Sequence, residues 1–80
     1  MTKRGIEVLA FIHKFRASHQ YGPTVREIAK AVGWSSTSTA HHVLSVLERD
    51  GLLSQVPKIP RTIVLTEKGV EVLEKAEPLQ

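Results

Sequence analysis

The sequence contains no cysteine, has few aromatic residues, and has no long apolar run. The lack of cysteine excludes disulfide bonds and thiolate zinc sites. A membrane-spanning helix needs roughly 18 or more apolar residues in succession, and a secretory signal needs an apolar segment after its basic start; neither pattern occurs. We therefore expect a soluble protein in the cytoplasm, associated with the nucleoid when bound to DNA, with no cofactor, membrane contact or evident small-molecule ligand.

The sequence of 80 residues is long enough for one small domain, and its charge is distributed unevenly along the chain. Residues 1–66 contain nine basic and four acidic side chains, a net charge of +5, whereas residues 67–80 contain two lysines and four glutamates, a net charge of −2. A basic body with an acidic end indicates a polyanionic partner for the first part and a different task for the second. We therefore divide the chain into a binding domain, residues 1–66, and a short acidic helix and tail, residues 67–80.

One stretch in the middle of the chain has the pattern of two helices joined by a tight turn. Thr24 and Glu27 have the spacing of a capping box, which predicts the start of a helix, and Gly33 suits the positive φ of a turn. Either Ser35 or Ser36 can cap the helix that follows. The apolar stripe of that second helix consists of Ala40, Val43, Leu44 and Leu47. This arrangement is typical of a helix-turn-helix.

The flanking segments complete the predicted fold. Apolar residues at helical spacing, Phe15 among them, predict a first helix over residues 2–18, capped by Thr2 and with this face in the core. Tyr21 is expected to pack beneath the loop that follows. Gly51 is expected to end the second helix of the motif in a left-handed conformation.

Two short β-prone runs, residues 52–56 and 61–65, flank a proline-containing tip and predict a hairpin wing. A fourth helix, capped by Thr66 and weakened by Gly69, is expected over residues 66–77. The fold class is mainly α: a winged helix-turn-helix with a three-helix body, a two-stranded β-hairpin wing and a short C-terminal helix.

Several side chains of these elements are suited to contact DNA. The second helix of the motif, residues 36–49, turns hydroxyls and imidazoles away from its apolar stripe. Hydroxyls at a helix N-terminus suit phosphate, and imidazole can donate to or accept from base edges. Arg26, Lys30, Lys58 and Arg61 add positive charge on the preceding helix and at the wing tip, elements that we expect to flank the groove and to meet phosphate or the minor groove. His41 and the next histidine point about 100° apart, so we expect no metal site.

Five segments are similar to a known family: Glu7–Ile12, Gly22–Ile28, Val32–His41, Leu47–Leu52 and Pro60–Ile63. Together they make residues 7–65 resemble the N-terminal DNA-binding domain of the LexA family of SOS repressors. The resemblance implies that Arg61 lies near the DNA backbone. It also implies major-groove contacts by Ser36, Ser38, Thr39, His41 and His42.

The family's second half, a self-cleaving peptidase with a Ser-Lys dyad and the dimer interface, has no counterpart in these 80 residues. We therefore expect neither self-cleavage nor enzymatic activity, and the resemblance does not imply the family's usual operator. Because the acidic helix takes that position, we expect it to supply the contact of a homodimer. In the alternative interpretation, this helix only covers the core of its own monomer.

These observations predict a sequence-specific, double-stranded DNA-binding transcriptional regulator that acts as a repressor. Two other functions stay open. A winged helix can be a protein-interaction module, which would show little salt-dependent DNA binding. It can also be an architectural DNA binder of low specificity, which would bind specific and random duplexes with similar affinity.

Overall fold

The computed structural model describes residues 3–76 of the chain. In this range the elements are α1 (Lys3–His19), α2 (Val25–Ala31), α3 (Thr37–Arg49), β1 (Leu53–Ser54), β2 (Val64–Leu65) and α4 (Glu67–Ala76). The two strands are antiparallel and pair Leu53 with Leu65. The predicted winged helix-turn-helix is confirmed, with shorter strands than expected. The predicted cap at Thr2 and the predicted last helical residue, Glu77, lie outside the described residues.

The helix-turn-helix forms for the local reasons that its sequence indicates. The Thr24 backbone N–H donates to Glu27 Oε1 at 2.8 Å, and the Glu27 N–H donates to Thr24 Oγ1 at 3.1 Å, so the capping box is confirmed. Gly33 has φ +82°, a left-handed conformation that glycine adopts without steric cost. The Trp34 N–H then donates to the Ala29 carbonyl at 2.8 Å and closes the turn.

All four helices and the wing contribute to one apolar core. Its members with little or no exposed surface include Val8, Leu9, Ile12, Ile28, Leu44, Leu47, Leu53, Ile63 and Leu73. Phe15 was expected on the core face of α1, but it is only half-buried and stacks on His19 with ring centroids 4.0 Å apart. Tyr21 was expected to pack beneath its loop; that prediction is wrong, because its side chain is 43% exposed.

The tip of the wing is a turn whose type is set by a proline. The Ile59 N–H donates to the Val56 carbonyl at 3.2 Å, with Pro57 and Lys58 between them. Proline at the second position and a positive φ at the third, here +68° at Lys58, are the signature of a type II turn. The Thr62 hydroxyl braces this turn from inside, since it accepts from the Val56 N–H at 2.9 Å.

The fourth helix packs on α1 and β2. Thr66 caps it as predicted, because Thr66 Oγ1 accepts from the Gly69 N–H at 3.1 Å. Leu73 is fully buried in the common core, and Gly69 packs against the backbone of Leu52. The helix therefore covers the core of its own monomer, and its predicted dimer contact stays a prediction. Ala76 is exposed at its end. No helix in the described part of the chain has the length and apolarity to cross a membrane.

Candidate nucleic-acid interface

The exposed face of α3 is polar along its whole first half. Ala40, Leu44 and Leu47 turn into the core and fix the rotation of the helix. At 13 residues, α3 is about 20 Å long, long enough to lie in a major groove. The predicted reading residues that stand exposed on it are Ser38, Thr39, His41 and His42.

The N-terminus of α3 lies beside two cations of α2. Ser36 is the N-cap residue, in an extended conformation, but its side chain makes no capping hydrogen bond. The first backbone N–H groups of a helix have no partner within the helix, and the helix dipole gives this end partial positive charge. Arg26, Lys30 and Ser36 line the same shallow hollow. These groups are suited to bind a phosphate of the DNA backbone.

Replacing Ser36 by Asp should change stability and DNA affinity in opposite directions. An aspartate at the N-cap can accept from the uncapped backbone and complements the dipole, so the free energy of unfolding should rise by about 0.5–1 kcal/mol. The same carboxylate repels phosphate, so duplex affinity should fall. Urea unfolding and fluorescence anisotropy with a labelled duplex measure the two effects. Ser18→Asp adds equal charge at an exposed position of α1 and is the control for the change in duplex affinity. A Ser36→Asp variant that binds DNA as tightly as the parent would exclude a phosphate here.

The wing and the helix-turn-helix enclose a second concave surface. It is a cleft of about 340 Å³ between α2, α3 and the wing, lined among others by Val25, His41 and Lys58. At its rim, the apolar side chains of Val56 and Ile59 are 54% and 56% exposed. Neither was predicted as a site residue. The two prolines of the tip are the signal for them, because they interrupt strand pairing and leave the neighbouring side chains without a partner strand.

Arg61 was expected to add positive charge at the wing tip, but its guanidinium is paired with Glu27. Its Nη1 and Nη2 donate to Glu27 Oε1 and Oε2 at 3.1 and 3.4 Å, and Nη1 lies 3.4 Å from the Gly22 carbonyl oxygen. The hydrogen bond from the Thr24 backbone N–H, together with the Arg61 guanidinium, lowers the pKa of Glu27 from its ordinary value. The carboxylate therefore stays charged opposite Arg61, and a contact of Arg61 with phosphate stays a prediction.

The structure thus groups the predicted site residues into two clusters with α3 between them. Arg26 and Ser36 lie at the N-terminal end of α3, where Lys30 joins them. The second cluster, at the cleft, consists of His41, Lys58 and Arg61. Within the described residues, no group of three or more potential metal ligands occurs.

A helix with an exposed polar face, flanked by cations on the preceding helix and on a wing, is the arrangement of a DNA-binding winged helix. The family model described as the LexA DNA-binding domain matches residues 1–62. The chain belongs to the LexA DNA-binding domain family. The suspected family resemblance is confirmed.

Known relatives agree with this membership. The LexA repressor of Limosilactobacillus fermentum is 49% identical to the chain over 72 residues, and the LexA repressor of Bacillus subtilis is 40% identical over 72 residues. Each match covers 90% of this chain and 35% of the relative. The chain therefore spans about a third of the length of the LexA repressors it matches.

Solved structures resemble this LexA-type domain in fold. The transcriptional regulator MosR of M. tuberculosis superposes with a TM-score of 0.79 at 33% sequence identity, over 98% of this chain and 54% of that protein. A mutant of S. aureus MepR superposes with a TM-score of 0.77 at 25% identity, over 94% of this chain and 55% of that protein. The helices and wing thus match known proteins over nearly the full chain.

Proposed function

We propose that this LexA-type domain binds double-stranded DNA sequence-specifically and acts as a transcriptional repressor. The observation that carries the proposal is the polar face of α3, which lies between the cationic hollow of α2 and the wing. In this arrangement Ser38, Thr39, His41 and His42 read base edges in the major groove. Arg26, Ser36 and Lys58 anchor the domain on phosphates, or in the minor groove at the wing. We therefore propose a cytoplasmic location, at the nucleoid when bound, and no catalytic role.

The direct test is to select bound duplexes from a random pool and to measure affinity for the selected duplex at several salt concentrations. If Arg26, Lys30 and Lys58 with the α3 N-terminus neutralise three to four phosphates, the log-log slope should be about −3 to −4 per protomer. A random duplex should bind far more weakly. A slope near zero would favour a protein-interaction module, and equal affinity for both duplexes would favour an architectural DNA binder.

We also propose that two copies bind one operator, with the segment from residue 67 as their contact and residues 1–66 as the DNA-binding part. The protein measures 28 × 25 × 22 Å, so one copy covers no more than about one turn of DNA, roughly 34 Å. Glu67, Glu71 and Glu74 are exposed on α4, and DNA would repel them. This acidic surface is therefore suited to lie away from the groove, where a two-fold axis can relate two recognition helices.

The dimer contact can be tested at Ala76, which is exposed on α4. Ala76→Glu should convert a dimer into a monomer in sedimentation velocity, because it places an unpaired charge in the contact. Affinity for a duplex with two half-sites should fall much more than affinity for a single half-site. Ser18→Glu, an exposed change on α1, is the matched control. A parent protein that stays monomeric at high micromolar concentration and on its operator would contradict the proposal.

A further inference from the structure

The contact between Arg61 and Glu27 joins two parts of the proposed DNA interface. Arg61 follows the wing tip, and Glu27 lies in the first turn of α2. Their side chains form two hydrogen bonds, a bidentate geometry that restricts both distance and orientation. Since α2 packs directly on α3, a group fixed to the first turn of α2 is also fixed relative to the recognition helix.

Other contacts hold Arg61 in the same place. The Gly22 N–H donates to the Arg61 carbonyl at 3.1 Å, so the wing backbone is attached to the loop before α2. The guanidinium carbon lies 4.9 Å from the centroid of the Tyr21 ring, a cation–π distance. Tyr21, although exposed, contacts the guanidinium as well as the rings of Phe15 and His19. Glu27, Gly22 and Tyr21 thus all contact Arg61 and keep its guanidinium on the protein.

The backbone at Arg61 supports the same conclusion. Its φ is +63°, a left-handed conformation that glycine adopts readily and other residues adopt at a cost. A turn alone would therefore favour glycine at this position. The arginine side chain, with its contacts to Glu27, Gly22 and Tyr21, stabilises a conformation that its own backbone disfavours.

We infer that Arg61 is a positioning residue that sets the wing against the recognition helix through Glu27, rather than a phosphate contact. Arg61 and Val25 line the cleft that separates the Lys58 turn from His41 of α3. Loss of the Arg61–Glu27 contact would let the wing move relative to α3, and DNA binding would have to reorder it. The inference rests on the proposed DNA binding and specifies how the domain keeps its wing in place.

The two possible roles of Arg61 predict opposite effects for a change at Glu27. Glu27→Gln retains the capping box, because glutamine also serves at that position, but it removes the charge that holds Arg61. If Arg61 positions the wing, Glu27→Gln should weaken binding to the selected duplex by about 3- to 10-fold. If Arg61 contacts phosphate, Glu27→Gln frees the guanidinium and removes a nearby negative charge, so binding should tighten.

Four further variants complete the experiment. Arg61→Ala should weaken binding by a similar factor without changing the salt slope, and the double variant with Glu27→Gln should be no weaker than either single variant. Arg61→Lys should fail to restore full affinity, because lysine has the charge without the planar fork. Lys14→Ala removes one exposed positive charge from α1, away from the recognition helix, and is the control. A salt slope flattened by about one in Arg61→Ala, with full rescue by lysine, would overturn the inference.

A measurement without DNA separates this inference from the proposed function. Backbone ¹⁵N order parameters should fall at Val56, Lys58 and Ile59, the residues of the wing turn that have an amide proton, in both Arg61→Ala and Glu27→Gln. They should stay unchanged in Lys14→Ala. Unchanged order parameters in the first two variants would overturn the positioning role, even if the parent protein binds DNA. Altered order parameters together with a parent protein that binds no duplex would contradict the proposed function but not the structural contact.

Discussion

Replacing Gly69 by Ala is expected to destabilise the domain, although the same change in an ordinary helix stabilises it. Alanine is favoured over glycine in a helix interior by about 1 kcal/mol. At Gly69, however, an added Cβ would collide with the carbonyl oxygen of Leu52. Backbone atoms cannot move aside as a flexible side chain can, so α4 must shift, and Leu73 on the same helix loses its packing in the core.

We expect Gly69→Ala to lower the free energy of unfolding by about 1–3 kcal/mol. An 80-residue domain has about 4–12 kcal/mol in total, so the change should be large in urea unfolding monitored by circular dichroism. Glu71→Ala, an exposed change on α4, should stay within about 0.5 kcal/mol of the parent. A Gly69→Ala protein that is more stable than the parent would mean that α4 does not depend on this close approach.

The local elements could be predicted because their causes lie within a few residues of one another. The capping box of Thr24 and Glu27 and the positive φ at Gly33 each follow from short spacings, and the structure confirms them. Gly51 also has a positive φ, as its place after the recognition helix predicted. The rotation of α3 followed from its apolar stripe, which left the predicted reading residues exposed.

Features that depend on distant parts of the chain could not be predicted in this way. Arg61 and Glu27 are 34 residues apart, and no local pattern indicates that a wing arginine turns back to a helix cap. The contact between Tyr21 and the same guanidinium also joins residues 40 positions apart in the sequence. Gly69 was expected only to weaken α4, because sequence alone does not show that its helix approaches Leu52 so closely.

The same limit applies to the candidate interface. Sequence identified hydroxyls and imidazoles on the face of α3 and Lys30 among the cations that flank the groove, but it did not show that Lys30 lies beside Ser36. It also placed Val56 in a strand, whereas the side chain is exposed beside the wing turn. Both features arise from how elements pack on each other, and an apolar stripe determines only which side of one helix faces the core.

Removing a side chain that reads bases should affect DNA binding differently from removing one that contacts the DNA backbone. His42 is exposed on α3, so His42→Ala should cost about 1–3 kcal/mol of binding free energy on the selected duplex and relax preference at one or two base pairs. Lys30→Ala should weaken selected and random duplexes alike and flatten the salt slope by about one. We choose Lys30 for this comparison because the charge of Arg61 is paired with Glu27.

The measurement is a binding titration of both variants against the selected duplex, its single-base-pair substitutions and a random duplex, at several salt concentrations. For His42→Ala, affinity for the random duplex should stay near that of the parent, because phosphate contacts supply nonspecific binding. Lys14→Ala, an exposed cation on α1, is the control for a general loss of charge. If His42→Ala and Lys30→Ala weaken every duplex by the same factor, then His42 does not read bases, and specificity must come from other residues of α3 or from the shape of the DNA.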